Sequence, residues 1–278
     1  MKSINRQIAE YFDYCEKVRC MSPATLIAKR SVINCFIRAT KITNVNQITN
    51  EIFNNWMKEE QNQGVSSRTL NTYNSAIITM VKYFRSARID IPLNLALVKK
   101  LKEGNIRRKF YTEEEIATAL LYADTTTSLI IRIMFETGMR IAEITHLRLR
   151  NIDGQRINFI GKGNKPREVY ITQQTQQDLA YYISENDITD YVWSWLPTST
   201  PPAVATVRLW LKKAFTDAGM PDFYPHSLRH SFATDLQRRG ASVAEIKEMI
   251  GHESIATTER YLHGFEGRME ELFKKYRK

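Results

Sequence analysis

The sequence predicts a mainly α protein with a small β-sheet, built as two domains. Three observations carry this. Apolar residues recur at helical spacing through most of the chain; Leu70, Tyr73, Ile77, Val81 and Phe84 are spaced 3, 4, 4 and 3. One stretch, residues 155–171, alternates with a period of two instead. The length of 278 residues gives two domains at roughly 100–200 residues each.

The elements follow in order. A weak helical pattern covers residues 5–19. Ser22-Pro23 reads as a cap with proline at the first helical position. The run Thr25 to Ala39 follows it, with Leu26, Ile33, Phe36 and Ile37 as core positions. Ile52, Phe53, Trp56 and Met57 form the next stripe, which stops before Gly64. Ser67 can cap the helix of the Leu70–Phe84 stripe. These four helices make a first domain over residues 1–100. Residues 101–110 read as a basic linker, within a run from Lys99 to Lys109 that has six basic residues and one acidic. Such a run could lie along a phosphate backbone or be a solvated tether.

The second domain spans 111–278. Thr112 with Glu115 is a capping box. Helical patterns cover 113–123, 127–137 and 140–147. Ile157, Phe159, Val169 and Ile171 alternate around Gly161-Lys162-Gly163-Asn164, a β-hairpin. Helices return at 173–184, 204–218 and 226–239. Ser242 with Glu245 caps one more before Gly251, and short helices are expected at 254–262 and 266–276.

Composition excludes several classes. No apolar run approaches the roughly 18 residues of a membrane span, since Leu129 to Phe135 is broken by Arg132. The N-terminus lacks the apolar middle of a signal peptide. The expectation is a soluble, cytoplasmic protein with no membrane partner. Three cysteines, Cys15, Cys20 and Cys35, make no disulfide framework and no ligand spacing. Residues 1–105 carry sixteen basic and eight acidic residues, whereas residues 106–278 carry 24 and 22. A first half at +8 suits a polyanion, nucleic acid before an anionic membrane, or is simply a soluble surface.

The residues that could do chemistry lie in the second domain. In His226-Ser-Leu-Arg229-His230, His226 and Arg229 are three apart on a helix start, where both could meet one anion. The same cluster can be read as zinc ligands, although it lacks the HExxH glutamate, or as a helix with surface histidines. Thr137-Gly138-Met139-Arg140 sits between two helical patterns, and Glu143 can hold the Arg140 guanidinium or form an ordinary surface pair with it. Gly161-Lys162-Gly163 lies at a hairpin tip where the backbone could approach a ligand, with Lys165 and Arg167 close by. Gly251-His252 ends a helix, and Tyr261 follows nine residues after His252.

Taken as an ordered set, Arg140, Lys162, His226-x-x-Arg229, Gly251-His252 and Tyr261 resemble the tyrosine recombinases, also called phage integrases, and are especially similar to the Xer type. The resemblance rests on TGMRIAE, IGKGNKPREV, HSLRHSFATDLQRRG and the stretch from IGHESIATTERYLH, and spans residues 106–278. It implies an N-terminal helical core-binding (SAM-like) domain and a C-terminal catalytic domain. It implies strand cleavage by Tyr261 through a 3′-phosphotyrosyl intermediate. Arg140 and Arg229 would clamp the phosphate, His226 would act as base, His252 would donate to the phosphate, and Lys162, or Lys165, would protonate the leaving oxygen. Glu143 would orient Arg140. No cofactor is implied. The implied partners are double-stranded DNA at specific recombination sites, a homotetramer on two sites, and accessory proteins. The terminal segment Phe265, Met269, Leu272, Phe273 and Tyr276 would pack onto a neighbouring subunit or fold back on its own domain. A non-catalytic DNA-binding regulator, a type IB topoisomerase and a zinc hydrolase on His226, His230 and His252 are the competing readings.

Overall fold

A computed structural model describes residues 3–103, 109–161, 166–194 and 200–251. The chain divides into two compact units, Met1–Ile106 and Arg107–Lys278.

The first unit is built from α1 (Ile4–Lys17), α2 (Pro23–Thr40), α3 (Asn50–Asn62) and α4 (Ser67–Ser86). The helical stripes become its core. Ile33, Phe36, Trp56, Ile77, Val81 and Phe84 are buried, while Leu26, Ile37, Ile52, Met57 and Tyr73 lie half-buried at its margin. Trp56 stacks on Tyr73 with centroids 5.3 Å apart and donates Nε1–H to Glu60 at 3.1 Å, so its one polar atom is satisfied. Ser22 caps α2 ahead of Pro23, accepting the Thr25 N–H. The α4 cap corrects the expectation by one residue. Ser66 is extended and accepts the Thr69 N–H at 3.2 Å, and Ser67 is already helical. Two adjacent serines cannot be told apart by pattern, because either hydroxyl could reach the first turn.

Residues 99–103 of the basic run are fastened to α4. The Asn71 amide accepts from the Leu101 N–H at 2.8 Å and donates to Leu101 O and Glu103 at 3.0 Å. Arg68 meets the same Glu103 at 3.2 Å. Residues 104–108 lie outside the described residues.

The second unit runs α5 (Glu113–Leu121), α6 (Thr125–Thr137), α7 (Ile141–Thr145), β1 (Ile152–Asp153), β2 (Arg156–Ile160), β3 (Pro166–Tyr170), α8 (Gln173–Glu185), α9 (Val204–Asp217), α10 (His226–Arg238) and α11 (Val243–Ile250). The expected helices near 254–262 and 266–276 lie outside the described residues. The Thr112–Glu115 and Ser242–Glu245 capping boxes both form. α6 begins two residues earlier than the apolar pattern indicates, because Asp124 accepts the Thr127 N–H at 2.7 Å. The sheet is antiparallel in the order β1-β2-β3, with Ile157 opposite Val169 and Phe159 opposite Arg167. Ile157 and Val169 face inward, onto a core that includes Ile130, Ile133, Met134, Leu211, Phe215 and Leu228. α6 is its central element, touching α5, α8, α9, α10 and β3. Among the described residues no helix is long and apolar enough to cross a membrane.

Candidate active site

The site is assembled where α6 ends. Thr137 closes the helix, and Gly138 takes a left-handed conformation at φ +62° that stops it. A side chain at Gly138 would also have no room: a Cβ there would lie 2.5 Å from Cδ1 of Phe232 on α10. The chain then extends through Met139 to Arg140, which occupies the cap position of α7. Helix formation therefore starts one residue later than the pattern over 140–147 suggests. The reason is Glu143. Its Oε2 accepts the Arg140 backbone N–H at 2.7 Å, and its Oε1 accepts from the Arg140 guanidinium at 2.6 Å. The same carboxylate thus caps the helix and orients the arginine. Arg140 keeps 30% of its side chain exposed, whereas Glu143 keeps 9%. The sequence-predicted pair is present, and its cationic end is the accessible one.

Arg229 reaches the same junction from α10. It is 1% exposed and one of the largest fully buried side chains. Its Nη1 donates to the carbonyl of Gly138 and its Nη2 to the carbonyl of Ile250, both at 2.6 Å. These acceptors are carbonyls at the C-terminal ends of α6 and α11, where backbone oxygens lack helical partners and carry partial negative charge. Burial of a guanidinium is costly, and strong bonds of this kind offset it. Carbonyls are neutral, so these bonds fix the group without cancelling its charge.

A residue that sequence reasoning left at the margin lies against this cluster. Arg167, on β3, has 9% of its side chain exposed. It donates to the carbonyls of Met249 at 2.7 Å and Thr137 at 3.3 Å, and its Nη1 stands 3.5 Å from Glu143 Oε2. Burial pulls its guanidinium down to about 10, with Glu143 opposing the shift and Arg140 adding to it. That value leaves it charged at neutral pH. The signal was available in the strand period: Arg167 and Val169 share a face, and Val169 is buried. Gly251, left-handed at φ +69°, ends α11 beside it, and a Cβ at Gly251 would meet Arg167 Cδ at 3.0 Å.

His226 opens α10, exposed at its N-terminus, with the His230 ring 6.2 Å away and buried. Arg229, on the next turn, points into the protein. Among the described residues no three His, Cys, Asp or Glu side chains gather as a metal-binding group. Lys162, Lys165, His252 and Tyr261 lie outside the described residues. The structure therefore brings together Arg140, Glu143 and Arg229, and starts the same helix with His226.

The phage integrase family model matches residues 109–268, a span that holds Arg140, Lys162, His226, Arg229, His252 and Tyr261. A tyrosine recombinase of Thermosipho africanus (strain TCF52B) is 28% identical over 282 residues, 94% of this chain and 95% of that protein. The tyrosine recombinase XerC of Staphylococcus haemolyticus (strain JCSC1435) is 32% identical over 180 residues, 60% of each chain. In fold, the chain is similar to the XerH site-specific recombinase bound to a palindromic difH substrate, with TM-score 0.76 at 20% identity, covering 96% of this chain and 84% of that one. It is also similar to a lambda integrase dimer bound to a COC′ core site, with TM-score 0.75 at 16% identity, covering 95% and 98%. With more than half of its length matched, the chain belongs to the phage integrase family: it is a tyrosine recombinase, an enzyme of site-specific DNA recombination.

Proposed function

We propose that the protein cleaves and rejoins duplex DNA at a specific site through attack of Tyr261 on the scissile phosphate. The observation that carries the reading is the junction at the end of α6. Arg229, 91 residues away in sequence, grips the carbonyl of Gly138, two residues from Arg140, which Glu143 holds in turn. A phosphodiester in transit gains charge on its non-bridging oxygens, and two guanidiniums fixed in advance lower that cost without reorganising. Arg140 and Arg229 take this role. His226 receives the phenolic proton of Tyr261, whose ordinary pKa near about 10 makes such help necessary. His252 donates a hydrogen bond to the phosphate, and Lys162 returns a proton to the departing 5′-oxygen. The 3′-phosphotyrosyl ester conserves the bond energy, so resealing needs no nucleotide hydrolysis.

Double-stranded DNA is the partner, met by the +8 charge of residues 1–105 through its phosphates. The working assembly is a homotetramer on two sites, with residues 266–278 packed on a neighbouring subunit and accessory proteins assisting. The setting is the cytoplasm, at the nucleoid when DNA is bound.

The test is covalent capture. The protein is incubated with a randomised pool of nicked duplexes, and adducts that survive denaturation are recovered and sequenced. The expected result is a single recovered DNA motif with wild type and no adduct with Tyr261→Phe, which still shifts the recovered duplex in a gel. Tight binding without an adduct from wild type would favour a regulator instead. Removal of residues 266–278 is expected to weaken two-site synapsis at least tenfold more than single-site binding. Equal losses in a gel-shift series would count against subunit exchange.

A further inference from the structure

We propose that Arg167 is a positioning residue of the recombination site, holding the Glu143 carboxylate that orients Arg140 and joining it to the end of α11. The inference rests on the reading that Arg140 engages the scissile phosphate. Among the described residues three donors converge on Glu143. Two of them, the guanidinium and backbone N–H of Arg140, belong to the residue being oriented. They fix the carboxylate relative to Arg140 but do not fix the pair relative to the rest of the site. Arg167 makes that external connection. Its Nη1 faces Glu143 Oε2, while its Nη2 donates to Thr137 O at the end of α6 and Met249 O at the end of α11. One planar guanidinium therefore spans the carboxylate and two helix ends, a geometry that a lysine ammonium cannot reproduce with a single point charge.

The fold makes room for this side chain on both sides. The Arg167 guanidinium carbon stands 5.4 Å from the centre of the Phe159 ring, on the strand opposite. Across from it, Gly251 leaves open the space that a Cβ would take from Arg167 Cδ. Arg167 differs from Arg140 and Arg229 in facing the Glu143 carboxylate with Nη1 while Nη2 holds two chain ends, so it acts through Glu143. Arg229 performs the parallel function one residue along each helix, on Gly138 O and Ile250 O. Two guanidiniums thus tie the same two helix ends together, and that of Arg167 also meets Glu143.

The experiment compares Arg167→Met, Arg167→Lys, Glu143→Gln and the Arg167→Met/Glu143→Gln double variant on the nicked duplex recovered by covalent capture. Each is measured for adduct formation rate at saturating protein, for duplex Kd, and for Tm. Phe215→Leu, a core change that touches none of these hydrogen bonds, serves as a destabilised control. The expected loss for Arg167→Met is about 10- to 100-fold in rate, the range for residues that hold a ligating group, with Kd within about threefold of wild type. Arg167→Lys recovers part of it, and the double variant loses no more than the worse single one, because the two act as a unit. A rate within about threefold of wild type, a loss carried wholly by Kd, additive losses, or the same rate loss in Phe215→Leu at matched Tm would each overturn the proposal. If Arg167→Met does not fold, Arg167→Lys with Glu143→Gln completes the same cycle. A wild-type protein with no Tyr261-dependent adduct would overturn the underlying reading, and is told apart from the other outcomes by that control.

Discussion

Arg229→Ala is expected to lower strand cleavage by about 10²–10³-fold, the cost of losing one preorganised charge at a developing anion, and to lower stability as well. The second effect comes from burial. Arg229 is 1% exposed, and its removal leaves the carbonyls of Gly138 and Ile250 without this donor in a water-poor interior. Stranded buried acceptors and the vacated volume together cost about 2–4 kcal/mol. Arg140→Ala separates the two effects. Its side chain is 30% exposed, and Glu143 keeps the Arg140 backbone N–H and Arg167 after the change. The same loss of cleavage is expected there with about 1 kcal/mol of destabilisation or less. Single-turnover adduct formation and thermal melting of the two variants check this directly. Arg229→Ala cleaving at the wild-type rate, or both variants melting alike, would contradict the assigned roles.

Gly138→Ala is expected to be nearly as damaging, although it removes no functional group. The left-handed backbone at φ +62° costs a side-chain-bearing residue about 1 kcal/mol. The added Cβ would stand 2.5 Å from Phe232 Cδ1, the edge of a buried ring, and overpacking of this kind costs about 1–3 kcal/mol. Relief by backbone movement would shift the Gly138 carbonyl that Arg229 grips and swing Arg140 with it. A displacement near 1 Å lowers the rate by about 100-fold. The measurements are Tm and adduct formation rate, with Phe232→Leu added. If the clash is the cause, Gly138→Ala/Phe232→Leu is less destabilised than the sum of its parts. Strict additivity would assign the whole effect to backbone strain.

Local features of the site were readable in the sequence because their partners are close in it. Arg140 and Glu143 lie three apart, Thr112 and Glu115 form a capping box, and the alternation of Ile157 with Val169 set which hairpin residues face inward. Arg229 was identifiable by type and spacing, but its surroundings were not. Its acceptors are backbone carbonyls, which every residue has, and they lie 91 and 21 residues away. Arg167 was harder still. The strand period places it on the face of buried Val169, but the carbonyls it bridges lie 30 and 82 residues away and carry no sequence signal. The expected cap at Ser67 lies one residue past the observed Ser66 for a smaller reason, since neighbouring hydroxyls offer the same capping chemistry.

The eight residues of α11 are too few to hold a helix by themselves, since isolated helices below about 12–15 residues are marginal in water. Its anchorage is Ile246 and Ile250 against Phe232 and Ala233, together with the grips of Arg167 and Arg229 on its last carbonyls. Local opening of this small cluster would withdraw one carbonyl from each guanidinium at once, Met249 O from Arg167 and Ile250 O from Arg229. Catalytic competence is then expected to follow the opening equilibrium of α11 rather than the global unfolding of the second unit. On warming, adduct formation is therefore expected to fall below the melting temperature of the second unit and to return on cooling, which activity and melting curves on one sample would check.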